Sequence, residues 1–275
     1  MQKSNNRARF ESIANLADDE IHLDEAALVI AAETQEDLDV EYFLHRLDTL
    51  ASKFETAFDT TTGFGISVAS LNDFIHNTEG FRGDVRDYFD PRNCYLNRVI
   101  ETKIGIPITL ALIHISLGAR LSIPVKGINF PGHFLVRYGD EPHLIVDPFS
   151  GRILSEPDCA TLLKQIAGSK AVLKQYYFQI ASNKDILIRI LDNLKKIFWE
   201  KKSWDKSKAC IERQMLLRPT HDEFSVQLGA VYEMQGNLHL AQHTYTTVLQ
   251  ETSDEQLRNI ASKRLLAMQG SQTIH

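Results

Sequence analysis

Gly105–Tyr138 reads GIPITLALIHISLGARLSIPVKGINFPGHFLVRY, and His143–Asp147 follows with HLIVD. Pro107 suits the first turn of a helix, where a missing N–H costs nothing. The apolar positions Leu110, Ile113 and Leu117 then carry a helix to about Arg120, and Ile123-Pro124-Val125 turns the chain into an apolar strand. His133–Tyr138, the turn Gly139-Asp140-Glu141-Pro142 and His143–Asp147 read as strand, turn, strand, a hairpin. His133 opens the first strand and Asp147 closes the second, so antiparallel pairing brings an imidazole and a carboxylate side by side. A buried helix beside an antiparallel hairpin makes the class α+β.

On the N-terminal side, Leu23–Ala32 (LDEAALVIAA) is rich in strong helix formers and is preceded by Asp18, Asp19 and Glu20, which favour a helix N-terminus. Tyr42, Phe43, Leu47, Leu50 and Ala51 give a second helix, over Val40–Phe54, one apolar face. Thr60–Gly65 is a loop signal, and its GFG is too short and too far from a clear helix to cradle a phosphate. Asp90–Asn93 reads as a turn.

On the C-terminal side, shifting residues 184–268 by 34 pairs Leu194 with Leu228, Phe198 with Tyr232, Trp204 with Leu238, Ser207 with Ala241 and Met215 with Leu249. That period, built from helix pairs, is the tetratricopeptide signature. The copies expected are 188–221 and 222–255, with a capping helix over Asp254–Met268, and the domains expected are 1–183 and 184–275. In such arrays the first helix of each repeat lines a groove. By that register Arg189, Asp192, Lys196 and Trp199, then Glu223, Val226 and Glu233, would face a protein or peptide partner.

Composition limits the function classes. Thirty basic against 36 acidic residues give a net charge of −6, without the basic excess of a dedicated nucleic-acid binder. The 43% hydrophobic and 24% charged content is that of a globular protein. The uncharged run 104–119 is too short for a membrane span, and the N-terminus lacks the apolar core of a secretory signal. Cys94, Cys159 and Cys210 are scattered and odd in number, which points to reduced thiols in the cytoplasm. His239 and His243 share a helical face but lack a nearby third ligand, so no metal is expected and no cofactor is implied. Lys195, Lys196, Lys201 and Lys202 read as a solvated helix end.

Taken together, Asp87–Tyr138, Leu144–Gly151 (LIVDPFSG) and the two N-terminal helical stretches resemble the bacterial SirB family, in which a transglutaminase-like domain of papain type precedes tetratricopeptide repeats. In active members of that superfamily a cysteine at the N-terminus of the core helix is the nucleophile, a histidine starting a strand is the base, and an aspartate on the next strand orients it. The resemblance places His133 and Asp147 in the last two roles and puts Pro107, which has no nucleophile, at or beside the cysteine position. It therefore implies a non-catalytic regulatory or protein-interaction module. The competing reading is a cysteine hydrolase or acyl-transferase acting on peptide or amide bonds, in which Cys94 reaches His133 and Asp147 from the preceding loop. Thr109, in the first helical turn, is a weaker candidate nucleophile, and a ligand cleft using His133 and Arg137 is a third reading.

Overall fold

The computed structural model describes residues 2–35, 37–58, 64–140 and 143–272. The chain forms two compact units, Met1–Ile190 and Leu191–His275.

The first unit opens with α1 (Gln2–Ala14), α2 (Leu23–Ala32) and α3 (Val40–Ala57). α2 has the bounds its composition suggests, and it is buried on nearly every side, which is why it carries almost no polar residues past its first turn. α3 is capped by the Asp39 carboxylate, which accepts the Tyr42 N–H, and it buries Phe43, Leu47, Leu50, Ala51 and Phe54. α4 (Phe64–Asp73) runs into a π-helical turn, Phe74–Thr78. Residues 60–63 of the expected loop lie outside the described residues, but a helix does follow directly at Phe64, contrary to the sequence reading.

β1 (Arg82–Gly83) pairs in parallel with β2 (Ile104–Gly105), a contact the sequence did not signal. Between them lie a 3-10 turn, Pro91–Cys94, and α5 (Leu96–Thr102), which Lys103 closes in the left-handed conformation. α6 (Pro107–Arg120) has Pro107 in its first turn, and the Thr109 hydroxyl accepts the Ile106 N–H at 3.2 Å. Eleven of its 14 residues are buried, so the uncharged run is a core helix. Gly118 lets it approach the sheet: a Cβ there would lie 2.4 Å from Val125.

The main sheet is antiparallel, in the order β3 (Val125–Ile128), β4 (Leu135–Tyr138), β5 (Leu144–Asp147), β6 (Arg152–Leu154). Val125, Val136 and Tyr138 are buried on the α6 side. Ile128, Leu135, Ile145 and Leu154 pack on the other side with Cys159 and Leu163 of α7 (Glu156–Ala167). At 25 cal/mol per Å² each such fully buried large side chain contributes roughly 1.5–3 kcal/mol.

α8 (Asn183–Glu200) begins where the sequence put the second domain, but the boundary between the units falls inside it. The cause lies at its N-terminus. Asp18 accepts the N–H groups of Asn183 and Lys184, both at 2.9 Å, and Ile186, Leu187 and Ile190 are buried.

The second unit continues with α9 (Trp204–Leu217), α10 (Glu223–Met234), α11 (Leu238–Glu251) and α12 (Glu255–Gln272). α9 and α11 start and end 34 residues apart. Gly229 of α10 lies against the Tyr245 ring of α11, where a Cβ would come within 2.7 Å. No helix among the described residues is long and apolar enough to cross a membrane.

Candidate functional site

His133 stands in the turn before β4, where its N–H donates to the Phe130 carbonyl at 3.0 Å. Asp147 ends β5. The β4–β5 register, with Val136 opposite Val146, brings these two ends together. His133 Nε2 donates to Asp147 Oδ1 at 2.8 Å, and both side chains are largely shielded, 13% and 12% exposed. A carboxylate only accepts, so Nε2 carries the proton and, in the neutral ring, Nδ1 is the basic nitrogen.

Asp147 is held from three directions. Besides His133, the Phe149 N–H donates to Oδ1 at 2.9 Å and the Ser150 hydroxyl to Oδ2 at 2.6 Å. Burial pushes this carboxyl up, but these hydrogen bonds and the adjacent imidazole outweigh it and hold it below the ordinary carboxylate range. Ser150 and Phe149 were not singled out in the sequence, although Asp-Pro-Phe-Ser-Gly is a turn pattern that could have exposed them.

An aromatic wall adjoins the pair. The Phe149 ring meets His133 edge-on at 6.4 Å and Tyr88 at 6.3 Å, and it lies on Gly83, where a Cβ would sit 2.3 Å away. Burial pushes the Tyr88 phenol up, Arg189 pulls it down and Cys94 pushes it further up, so both of those residues are within electrostatic range of Tyr88. Arg189 also donates to Asn129, four residues before His133, at 3.3 Å. Arg189 thus lies in the first unit, beside the loop that carries His133, and not in the repeat groove expected for it.

Cys94 ends the 3-10 turn and is 2% exposed. Pro107 occupies the first turn of α6, as the sequence implied. The Thr109 hydroxyl is fully buried and donates to the Asn93 carbonyl at 2.7 Å, which commits it to the fold and ends its candidacy as a nucleophile.

Of the expected groove residues in the second unit, Lys196 and Trp199 of α8 and Glu223 of α10 are exposed. Val226 is not: it is buried with Ala241, Tyr245 and Ala261, because its side of α10 faces α11 and α12. Glu233 is also turned inward, with its carboxylate 3.5 Å from Arg264 of α12. Asp192 accepts from Lys195 at 2.7 Å and from Gln214 at 2.8 Å, in a network where Lys195 also donates to Gln214 and Gln227. Val226 and Glu233 are thus turned into the helix packing, and Asp192 is tied into this network with its side chain 45% exposed. His239 and His243 lie on α11, and no group of three metal-ligating side chains occurs among the described residues.

A second imidazole cluster was missed by the sequence reading. His76 Nδ1 lies 2.9 Å from the Phe81 carbonyl, His76 Nε2 lies 3.1 Å from His114 Nε2, and His114 Nδ1 lies 2.5 Å from the Tyr138 hydroxyl. Gly151, with φ +73°, makes room for the His76 ring. Burial lowers the pKa of His76 and drives that of fully buried His114 well down, so both rings are neutral. Neutrality fixes every proton. The Phe81 carbonyl forces Nδ1–H on His76, whose bare Nε2 then accepts from His114 Nε2–H, and the bare Nδ1 of His114 accepts from Tyr138.

A profile of the transglutaminase-like superfamily matches residues 41–192. A UPF0162 protein of Xylella fastidiosa is 32% identical over 246 residues, covering 88% of each chain. One from Pseudomonas aeruginosa is 36% identical over 182 residues, covering 66% of this chain and 67% of its own. Mouse F-box only protein 21 is 27% identical over 135 residues, 46% of this chain and 21% of that protein. No solved structure matches.

Proposed function

Since the chain belongs to the transglutaminase-like superfamily and to the UPF0162 family, we propose that it is a non-catalytic protein-interaction or regulatory module, a transglutaminase-like domain without its nucleophile joined to tetratricopeptide repeats of the SirB kind. One observation carries this reading: the N-terminus of α6 offers Pro107 and a Thr109 hydroxyl already committed to a carbonyl, where the superfamily's reaction needs a thiolate. The His133–Asp147 pair then serves recognition. Its shielded imidazole, beside Phe149 and Tyr88, accepts a hydrogen bond at the bare Nδ1 from an N–H or O–H of a partner. Lys196 and Trp199 of α8 and Glu223 of α10, each helix followed by one of the pair α9 and α11 whose 34-residue recurrence supports the repeat assignment, engage a protein or peptide in the cytoplasm. The match to about a fifth of F-box only protein 21 agrees with a domain used as one part of larger chains.

The test is the rate of Cys94 alkylation against pH, read by peptide mass spectrometry in the wild type and in His133→Ala. The expected result is slow reaction, indifferent to His133, because the thiol is buried. Fast reaction at neutral pH that collapses in His133→Ala would replace this reading with the cysteine hydrolase.

A further inference from the structure

The first unit has a cleft of about 430 Å³ on the α7 side of the main sheet. Its size is within the range of small-ligand sites. Arg137, His143, Leu154, Gln175 and Phe178 are among the residues that line it. The register puts Lys126, Arg137, Ile145 and Leu154 in one row across the four strands. Two cations are therefore neighbours on one face, followed by two apolar side chains. Of the two cations, only Arg137 lines the cleft.

Arg137 is poorly matched within the protein. Its side chain is 23% exposed, and its Nε is buried without a hydrogen-bond acceptor among the described residues. It donates to Asp140 across a long 3.3 Å contact, and that carboxylate is 87% exposed. A guanidinium so placed has donors to spare in a fork that fits a carboxylate. Glu156 also lines the cleft, in the first turn of α7 where the helix dipole favours it, and its charge selects a singly charged anion over a multiply charged one. Cys159 is no nucleophile here: burial and the nearby acidic groups push its thiol up to about 11.

We propose that this cleft binds a small monocarboxylate with an apolar body, its carboxylate on Arg137 and its hydrocarbon against Leu154 and Phe178. The site is separate from the recognition role given to His133 and does not depend on it.

The test uses the full chain in ¹H–¹⁵N NMR titrations with hexanoate, hexylamine and inorganic phosphate as probes. Hexanoate should give saturable shifts at the Arg137 Nε–H and at the amides of Ile145, Gln175 and Phe178, and hexylamine and phosphate should not. Arg137→Lys should weaken hexanoate roughly tenfold by removing the fork. The exposed Gln175→Glu, which leaves the core untouched, should weaken it severalfold by adding a negative charge and decides the matter if Arg137→Lys does not fold. Scattered unsaturable shifts, equal response to hexylamine or phosphate, or full affinity in Gln175→Glu would overturn the proposal.

Discussion

The first unit resolves the same chemical problem, a shielded imidazole, in two opposite ways. At the ends of β4 and β5, His133 is matched with a charge: Asp147 stays ionised because three donors converge on it. Beneath the sheet, His76 and His114 are matched with neutrality, each ring fixed in one tautomer by the next member of a chain from Tyr138 to the Phe81 carbonyl. The Asp147 charge pulls the pKa of both buried rings upward, yet burial prevails. The partners decide between the two: a neutral ring with directed neutral partners costs little away from water, whereas an ionised group needs several donors.

The sharpest way to break the contrast is at the middle of the buried chain. His114→Ala should cost on the order of 3–5 kcal/mol in urea unfolding, from a cavity plus two stranded polar groups. A loss under 1 kcal/mol would mean that the chain carries no weight. Asp147→Asn should cost about 1–3 kcal/mol, since it weakens three charge-assisted hydrogen bonds at once. Tyr138→Phe should cost about 1–2 kcal/mol by leaving the His114 acceptor unpaired.

Acid should separate the two clusters. His76 and His114 have native pKa values below the ordinary ~6.5, so between the two values the unfolded chain binds more protons. Their contribution is fully present above pH ~6.5 and is lost as pH falls below it, by up to ~1.4 kcal/mol per unit for each ring. Asp147, also depressed, contributes fully above its ordinary value of ~3.9 and loses its part only below that. Stability measured from pH 7.5 to 5 should therefore fall in the wild type and fall less steeply in His76→Gln, which removes one of the two rings. An unchanged slope in that variant would place the titration elsewhere. The smallest effect belongs to His133→Ala, under about 1 kcal/mol, because Ser150 and the Phe149 N–H still hold Asp147.

The two clusters also differ in how legible they were. His133 and Asp147 bracket one hairpin, 14 residues apart, and strand alternation with an antiparallel turn suffices to pair them. His76, His114 and Tyr138 are separated by 38 and 24 residues and come from a π-helical turn, a helix and a strand, so no local pattern joins them. The same distinction runs through the fold. α2, α6 and the hairpin follow from composition and periodicity, and the 34-residue shift reappears in the bounds of α9 and α11. The parallel β1–β2 contact and the capping of α8 by Asp18, 165 residues away, do not. Val226 shows the limit within a legible helix. The repeat register assigned it to a groove, but an apolar residue goes to whichever face a neighbouring helix covers.

By itself the sequence determined α2, α3, α6, the β4–β5 hairpin and the 34-residue spacing of the last helices, the α+β class, Pro107 at the head of α6, and the histidine and aspartate that meet at the strand ends. These depend on residue type and short-range spacing. Only the tertiary structure decided which polar groups are charged or neutral, that Thr109 is spent on a carbonyl, and that Arg137 faces a cleft with its Nε unmatched among the described residues. Those properties are set by burial and by partners distant in the chain, because the free energy of a polar group depends on the medium and acceptors around it, not on its neighbours in sequence.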